Sequence, residues 1–119
     1  MPITLPHLPE PDPGESGPFV VIATHRAVPG TADQLEKRML LDLAATRTEH
    51  GCLQFHIHRD RRDRDLFVIY EVWRNAEALK AHFVTDYVQA FVRDSAPFEA
   101  GEMDVQFLVM SSPYAVGKS

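Results

Sequence analysis

Hydrophobic and polar positions follow two periods along this chain, and the switches between them mark out its elements. Phe19 to Arg26 (FVVIATHR) is rich in β-branched residues and lies between Pro18 and Pro29-Gly30, which predicts a first strand. Leu35, Met39, Leu40 and Leu43 then recur at helical spacing. Thr31-Ala-Asp-Gln34 fits a capping box, and Gly51 suits the left-handed residue that closes a helix. Together they predict one helix over about residues 32–49. Cys52 to Arg59 (CLQFHIHR) alternates residue by residue, with Leu53, Phe55 and Ile57 to one side and Gln54, His56 and His58 to the other, a second strand. Asp60 to Asp65 is wholly charged and reads as a solvated turn, so Leu66 to Trp73 (LFVIYEVW) completes a hairpin as the third strand. Asn75 is a good N-cap and Glu77 sits well in a first helical turn. The helix they open carries Leu79, His82, Phe83, Tyr87, Ala90 and Phe91 on one stripe and ends before Pro97. Met103 to Met110 (MDVQFLVM) is the fourth strand.

The order β-α-β-β-α-β, with two right-handed crossovers about a central hairpin, predicts a ferredoxin-like α+β domain: a four-stranded antiparallel sheet with both helices on one face. Pairing Arg59 with Leu66 sets Ile57 opposite Val68, Phe55 opposite Tyr70 and Leu53 opposite Val72, an almost wholly apolar face. The other hairpin face then holds Gln54, His56, His58, Phe67, Ile69, Glu71 and Trp73. Neither is a solvated face, so the helices are expected on one and a second copy of the chain on the other, a homodimer. The alternative is a monomer with scattered exposed apolar residues. Six of the nine prolines fall within residues 1–18, which reads as an extended tail ahead of a folded domain at 19–110; residues 111–119 read as a second tail.

Composition narrows the partners. A net charge of −5 weighs against nucleic acid and against an anionic membrane surface. The lone Cys52 cannot form an internal disulfide and fits a reducing compartment. No apolar run approaches the ~20 residues of a membrane span, and the start lacks the basic-then-apolar pattern of a signal peptide. The expectation is a cytoplasmic protein with a small-molecule partner.

Three groups of residues could carry chemistry. Glu71 and Trp73 share a strand face, and His82 lies on the apolar stripe of the following helix, which must pack back on the sheet. A carboxylate beside that imidazole would make a general base or acid near neutrality, and the indole would offer a flat wall and an N–H donor. The bland alternative is a core histidine bonded to a buried glutamate, with Trp73 as filler. His56-Ile57-His58 puts two imidazoles on one face, with His25 or Glu71 as conceivable third ligands. No further ligand stands at metal spacing and H-E-x-x-H is absent, so no metal is expected. Arg59, Arg61, Arg62 and Arg64 alternate with Asp60, Asp63 and Asp65 as a solvated loop. Nucleotide-binding glycine loops, C-x-x-C and G-x-S-x-G are all missing.

Gly51-Cys-Leu-Gln-Phe55, Tyr70-Glu71-Val72-Trp73 and Ala78-Leu79-Lys80-Ala81-His82-Phe83 together resemble the signature of the antibiotic biosynthesis monooxygenase domain, a branch of the dimeric α+β barrel superfamily. The resemblance spans about residues 19–110. It implies a cofactor-independent monooxygenase acting with O₂ on a small phenolic or quinol-type aromatic, with Glu71, Trp73 and His82 as the catalytic group. His25, His56 and Tyr70, with Phe83, are added as substrate contacts from their positions. The family also includes haem-degrading enzymes that use an asparagine on strand one; the sole asparagine here is Asn75, and strand one offers Thr24, His25 and Arg26 instead. Two other readings of the scaffold stay open. One is an isomerase or hydration enzyme for a small phosphorylated or dicarbonyl metabolite, and the other is a non-catalytic ligand-binding or stress-response domain.

Overall fold

Among the residues that the computed structural model describes, 5–115, the strand order is β2-β3-β1-β4 and every pairing is antiparallel. β1 is Phe19–Arg26, β2 Cys52–Arg59, β3 Leu66–Trp73 and β4 Asp104–Val109. The helices are α1 (Ala32–Leu41), α2 (Leu43–Thr48), α3 (Ala76–Phe83) and α4 (Asp86–Ser95), with a short 3₁₀ turn at Ala96–Phe98. The expected ferredoxin-like α+β fold is present. The two apolar strands, β1 and β3, take the centre, with their inner faces buried under the helices. β4 alternates exposed Asp104 and Gln106 with half-buried Val105 and Phe107, the pattern of a strand with one solvated face.

Both predicted helices are divided. The first breaks at Asp42 (φ −101°, ψ 6°), whose carboxylate accepts from Arg38 Nη1 at 2.7 Å. The second breaks at Val84-Thr85, where the Thr85 hydroxyl donates to the His82 carbonyl at 2.7 Å and accepts from the Val88 amide at 3.3 Å. That local bonding ends α3 and starts α4 in a new direction. The capping box at Thr31 does not form: its hydroxyl donates to the Val28 carbonyl at 2.7 Å and makes no bond to the helix amides. Asn75 does cap α3, accepting from the Ala78 amide at 2.9 Å.

Gly51 is required for a different reason from the one predicted. The glycines with positive φ are Gly14, Gly17, Gly30 and Gly101, so Gly51 is not left-handed. A Cβ at Gly51 would instead overlap the side chain of Ala78 and lie 3.3 Å from its Cα. The position has no room for one because α3 packs directly on the start of β2.

The hairpin register differs by one residue from the expected one. Asp60 and Leu66 close the loop, the Asp60 amide donating to the Leu66 carbonyl at 2.9 Å. The Asp60 carboxylate folds the turn by accepting the amides of Arg62 and Asp63 at 2.9 and 2.7 Å. Arg59 therefore opposes Phe67, Ile57 opposes Ile69 and Phe55 opposes Glu71. The slip exchanges the faces of β3. Phe67, Ile69, Glu71 and Trp73 join Phe55 and Ile57 under the helices, while Val68, Tyr70 and Val72 turn outward beside Gln54, His56 and His58. An irregularity between Cys52 and Gln54 takes up the extra residue.

The core lies between sheet and helices, built on Phe19, Val21, Phe67, Trp73, Leu35 and Leu79. Residues 5–18 form no helix or strand, yet Leu8 packs against this core. On the outer face the Tyr114 hydroxyl accepts from Gln54 Nε2 at 3.3 Å. Of the two predicted tails, residues 1–4 and 116–119 lie outside the described residues.

Candidate functional site

A cavity opens between the helices and the inner face of the sheet. Water centres can occupy about 90 Å³ of it. One water needs ~10–15 Å³ on that measure, so the space suits a small organic molecule. Val21, Ala23 and Ile69 form its floor, Phe83, Val88 and Phe91 one wall, and Met39 and Leu43 another. Leu5 and Pro6 of the N-terminal arm complete the lining. His82, Glu71 and His25 are its ionisable members on α3, β3 and β1, with Tyr87 and Asp42 nearer the rim.

His82 points inward from α3 and is buried. Its Nδ1 lies 2.7 Å from Glu49 Oε2, and the Tyr87 hydroxyl donates to the same oxygen. The ring rests on Trp73, with centroids 4.6 Å apart at 37°, and Phe55 and Phe83 flank it at 5.9 and 6.1 Å. Trp73 Nε1 donates to Glu71 Oε1 at 2.9 Å. The three predicted catalytic residues thus meet on one side of the sheet, in an altered arrangement. The carboxylate that holds the imidazole is Glu49, at the C-terminal end of α2. Glu71 is held by the indole. Trp73 is fully buried and its N–H is occupied, so it underlies the site instead of forming the expected wall and free donor for a ligand.

Burial sets the protonation of the pair. Desolvation pushes the Glu71 carboxyl up to about 7, opposed by the Trp73 hydrogen bond and reinforced by the negative charge of Glu49. Burial also lowers the pKa of His82, partly offset by its bond to Glu49 and by that residue's charge. At neutrality His82 is therefore uncharged. A carboxylate can only accept, so Nδ1–H donates to Glu49; the ring lines the cavity, and no hydrogen bond to its Nε2 is found among the described residues. A base, a carboxylate that orients it and a carboxyl group that titrates about pH 7 stand together at one end of an apolar chamber.

His25 also lines the cavity, as expected, but it is tied elsewhere: its Nδ1 lies 2.7 and 3.1 Å from the two oxygens of Glu99. Phe83 lines it too. His56 and Tyr70 do not. They face one another across β2 and β3 on the outer side of the sheet, His56 solvent-exposed with its Nδ1 3.3 Å from Arg47. The register slip parted His56 from the Glu71 face, whereas Tyr70, next to Glu71 on the strand, points the other way in any register. His56 and His58 stand with ring centroids 6.4 Å apart, and no cluster of three metal-ligating side chains occurs among the described residues. Burial and the nearby Glu49 and Glu71 push the Cys52 thiol up to about 11, which leaves it unreactive at neutral pH.

Glu49, Tyr87 and Glu99 were not singled out as functional in the sequence. Glu49 did carry a signal, since an acid at a helix C-terminus opposes the macrodipole and wants another partner. Glu99 gave none, because its contact with His25 spans 74 residues of chain.

Residues 18–94 match the family model described as antibiotic biosynthesis monooxygenase. The solved structure of PA3566 from Pseudomonas aeruginosa is 35% identical and superposes with a TM-score of 0.77, covering 82% of this chain and 97% of that one. A Caulobacter crescentus protein provisionally named as an antibiotic biosynthesis monooxygenase is 31% identical at a TM-score of 0.74, covering 82% and 92%. An uncharacterised Synechocystis protein, sll1783, is 29% identical over 101 residues, 85% of this chain and 69% of its own length.

Proposed function

Since this chain belongs to the antibiotic biosynthesis monooxygenase family, we propose that it is a cofactor-independent monooxygenase for a small phenolic or quinol-type aromatic. The observation that carries the reading is His82, held by Glu49 through Nδ1 and left with a basic Nε2 at the wall of an apolar cavity. Nε2 takes a proton from the substrate's hydroxyl or activated C–H group. The electron-rich anion passes an electron to O₂, and the two radicals combine into a substrate peroxide anion, which takes the proton back from His82 Nε2 to become the hydroperoxide. Loss of a second substrate proton and of hydroxide then gives the carbonyl product and water. One oxygen atom enters the product, the other leaves as water, and the substrate is the reductant. Glu71, kept partly protonated at neutrality by burial, protonates the departing hydroxide and is reprotonated by the second substrate proton. The apolar walls keep bulk water from the intermediate.

Oxygen uptake with a panel of hydroquinones and anthrones tests the reading. Uptake that requires His82 and falls in Glu49→Gln is the expected result. Turnover that persists under strict anaerobiosis would replace it with the isomerase alternative, and binding without turnover with the ligand-binding one.

We also infer that the chain works as a homodimer through the outer face of its sheet. Half-buried Ile22, Val68 and Tyr70 lie there without a covering layer of helices, and Leu108 on edge strand β4 is 41% exposed. Light scattering that returns the monomer mass at micromolar concentration would reject this.

A further inference from the structure

The cavity has a second polar end that the chemistry above does not use. Val21, opposite Glu71, marks the His82 end of β1, and His25 lies four residues further along the same strand, opposite Phe67. At ~3.3 Å per residue the two levels are about 13 Å apart. Between them the floor is apolar: Val21, Ala23 and Ile69, with Val105 and Phe91 alongside.

At that far end the imidazole is arranged as it is at the near one. His25 is 2% exposed, its Nδ1 is taken by the Glu99 carboxylate, and the edge of its ring meets Phe91 with centroids 6.0 Å apart at 82°. Both hydrogen bonds found for the ring use Nδ1, none uses Nε2, and the ring lines the cavity. Fastening the chain does not explain this pair. The segment carrying Glu99 is already bound to β1 and its extension by backbone bonds, Val28 N–H to the Phe98 carbonyl at 2.9 Å and Ala100 N–H to the Arg26 carbonyl at 2.7 Å. A carboxylate buried to 1% is also a poor source of stability, because its desolvation offsets most of its attraction to a partner. What the pair does achieve is to fix one tautomer and one ring orientation, with an acceptor nitrogen turned to the cavity whenever the ring is neutral.

We propose that His25, positioned by Glu99, is a ligand anchor that accepts a hydrogen bond from a second hydroxyl group on the substrate, at the end remote from the oxygen handled by His82. The site would then select elongated, flat aromatics with a donor at each end over those hydroxylated at one end only. A single-ring quinol is too short to reach both imidazoles; a fused two-ring or larger diol is the class that fits. The proposal rests on the reading of this cavity as a site for hydroxyaromatics.

Binding measured without oxygen, so that no turnover intervenes, separates the two ideas. The probes are 2-naphthol and 2,6-dihydroxynaphthalene. The wild-type protein should hold the diol about tenfold more tightly, the scale of one hydrogen bond. His25→Phe and Glu99→Gln should bring the two affinities together by weakening the diol alone. Equal affinities in the wild type, or equal losses for both probes in the variants, would overturn the anchor while leaving the hydroxyaromatic reading intact. Failure of both compounds to bind the wild type would remove that reading and the anchor with it. Should the variants not fold, ¹⁵N-histidine spectra of the wild type decide: the Nε2 resonance of His25 moves with the diol and not with 2-naphthol, and an unmoved resonance rejects the proposal.

Discussion

The two imidazole–carboxylate pairs of this cavity are built alike and set in different surroundings. Each ring gives Nδ1 to a glutamate at 2.7 Å, and no hydrogen bond to its Nε2 is found among the described residues. Around His82 the neighbours are chemical: a shared carboxylate that also receives the Tyr87 hydroxyl, an indole at 4.6 Å, and Glu71 near its own point of titration. Around His25 they are inert, chiefly Phe91 and the backbone. A dyad by itself only orients an imidazole. The groups beside it decide whether that imidazole moves protons or merely receives a ligand.

The sharpest way to break this contrast is to remove each ring in turn. His82→Ala should lower the rate of oxygen uptake by about 10²–10⁴-fold, the usual worth of a positioned base, whereas His25→Phe should act on substrate affinity. Equal losses of kcat in the two variants would erase the distinction. Glu49→Gln comes next, with an expected loss on the order of 10–100-fold, as for other groups that orient a functional histidine. Because Glu49 raises the His82 pKa, its removal should also move the acid limb of the pH–rate profile to lower pH. A profile that stays in place would separate Glu49 from the base.

Glu71→Gln probes the neighbour. In the wild type, activity should rise with pH as His82 loses its proton, below the ordinary histidine value, and fall as Glu71 ionises about pH 7. The variant should lack the second limb. Stability carries the same signature. Between the ordinary carboxylate value and about 7, the folded chain holds a proton on Glu71 that the unfolded chain has released, so stability falls as pH rises through that window. The interval is worth on the order of 3 kcal/mol. Urea titrations at pH 4.5 and 8 should show this dependence weakened in Glu71→Gln. His82 acts with the opposite sign, its contribution being lost as pH falls below the ordinary histidine value. Smallest is Gly51→Ala, which should cost about 1–3 kcal/mol by forcing α3 off β2. It should do so without changing either pH limb.

Strand positions, the helix-capping Asn75 and the meeting of Glu71, Trp73 and His82 were all legible in local patterns, because period and turn chemistry act over a few residues. Three things were not. The hairpin register depended on how the Asp60 carboxylate folds its own turn, and one residue of slip was enough to part His56 from the face that carries Glu71. Both helix breaks arose from side chains bonding locally, Asp42 to Arg38 and Thr85 to the His82 carbonyl, within stretches whose apolar spacing ran on unbroken. The partners of the two histidines come from 33 and 74 residues away, and no spacing rule reaches that far.

The arm that carries Leu5 and Pro6 to the cavity lies ahead of the stretch, 18–94, shared with the family model. The chamber is thus lined in part by residues under no obligation to the scaffold that holds the base. Exchanging that strip of chain would recut the shape of the room while leaving its machinery untouched, which makes the arm the first place to look for divergence in substrate choice.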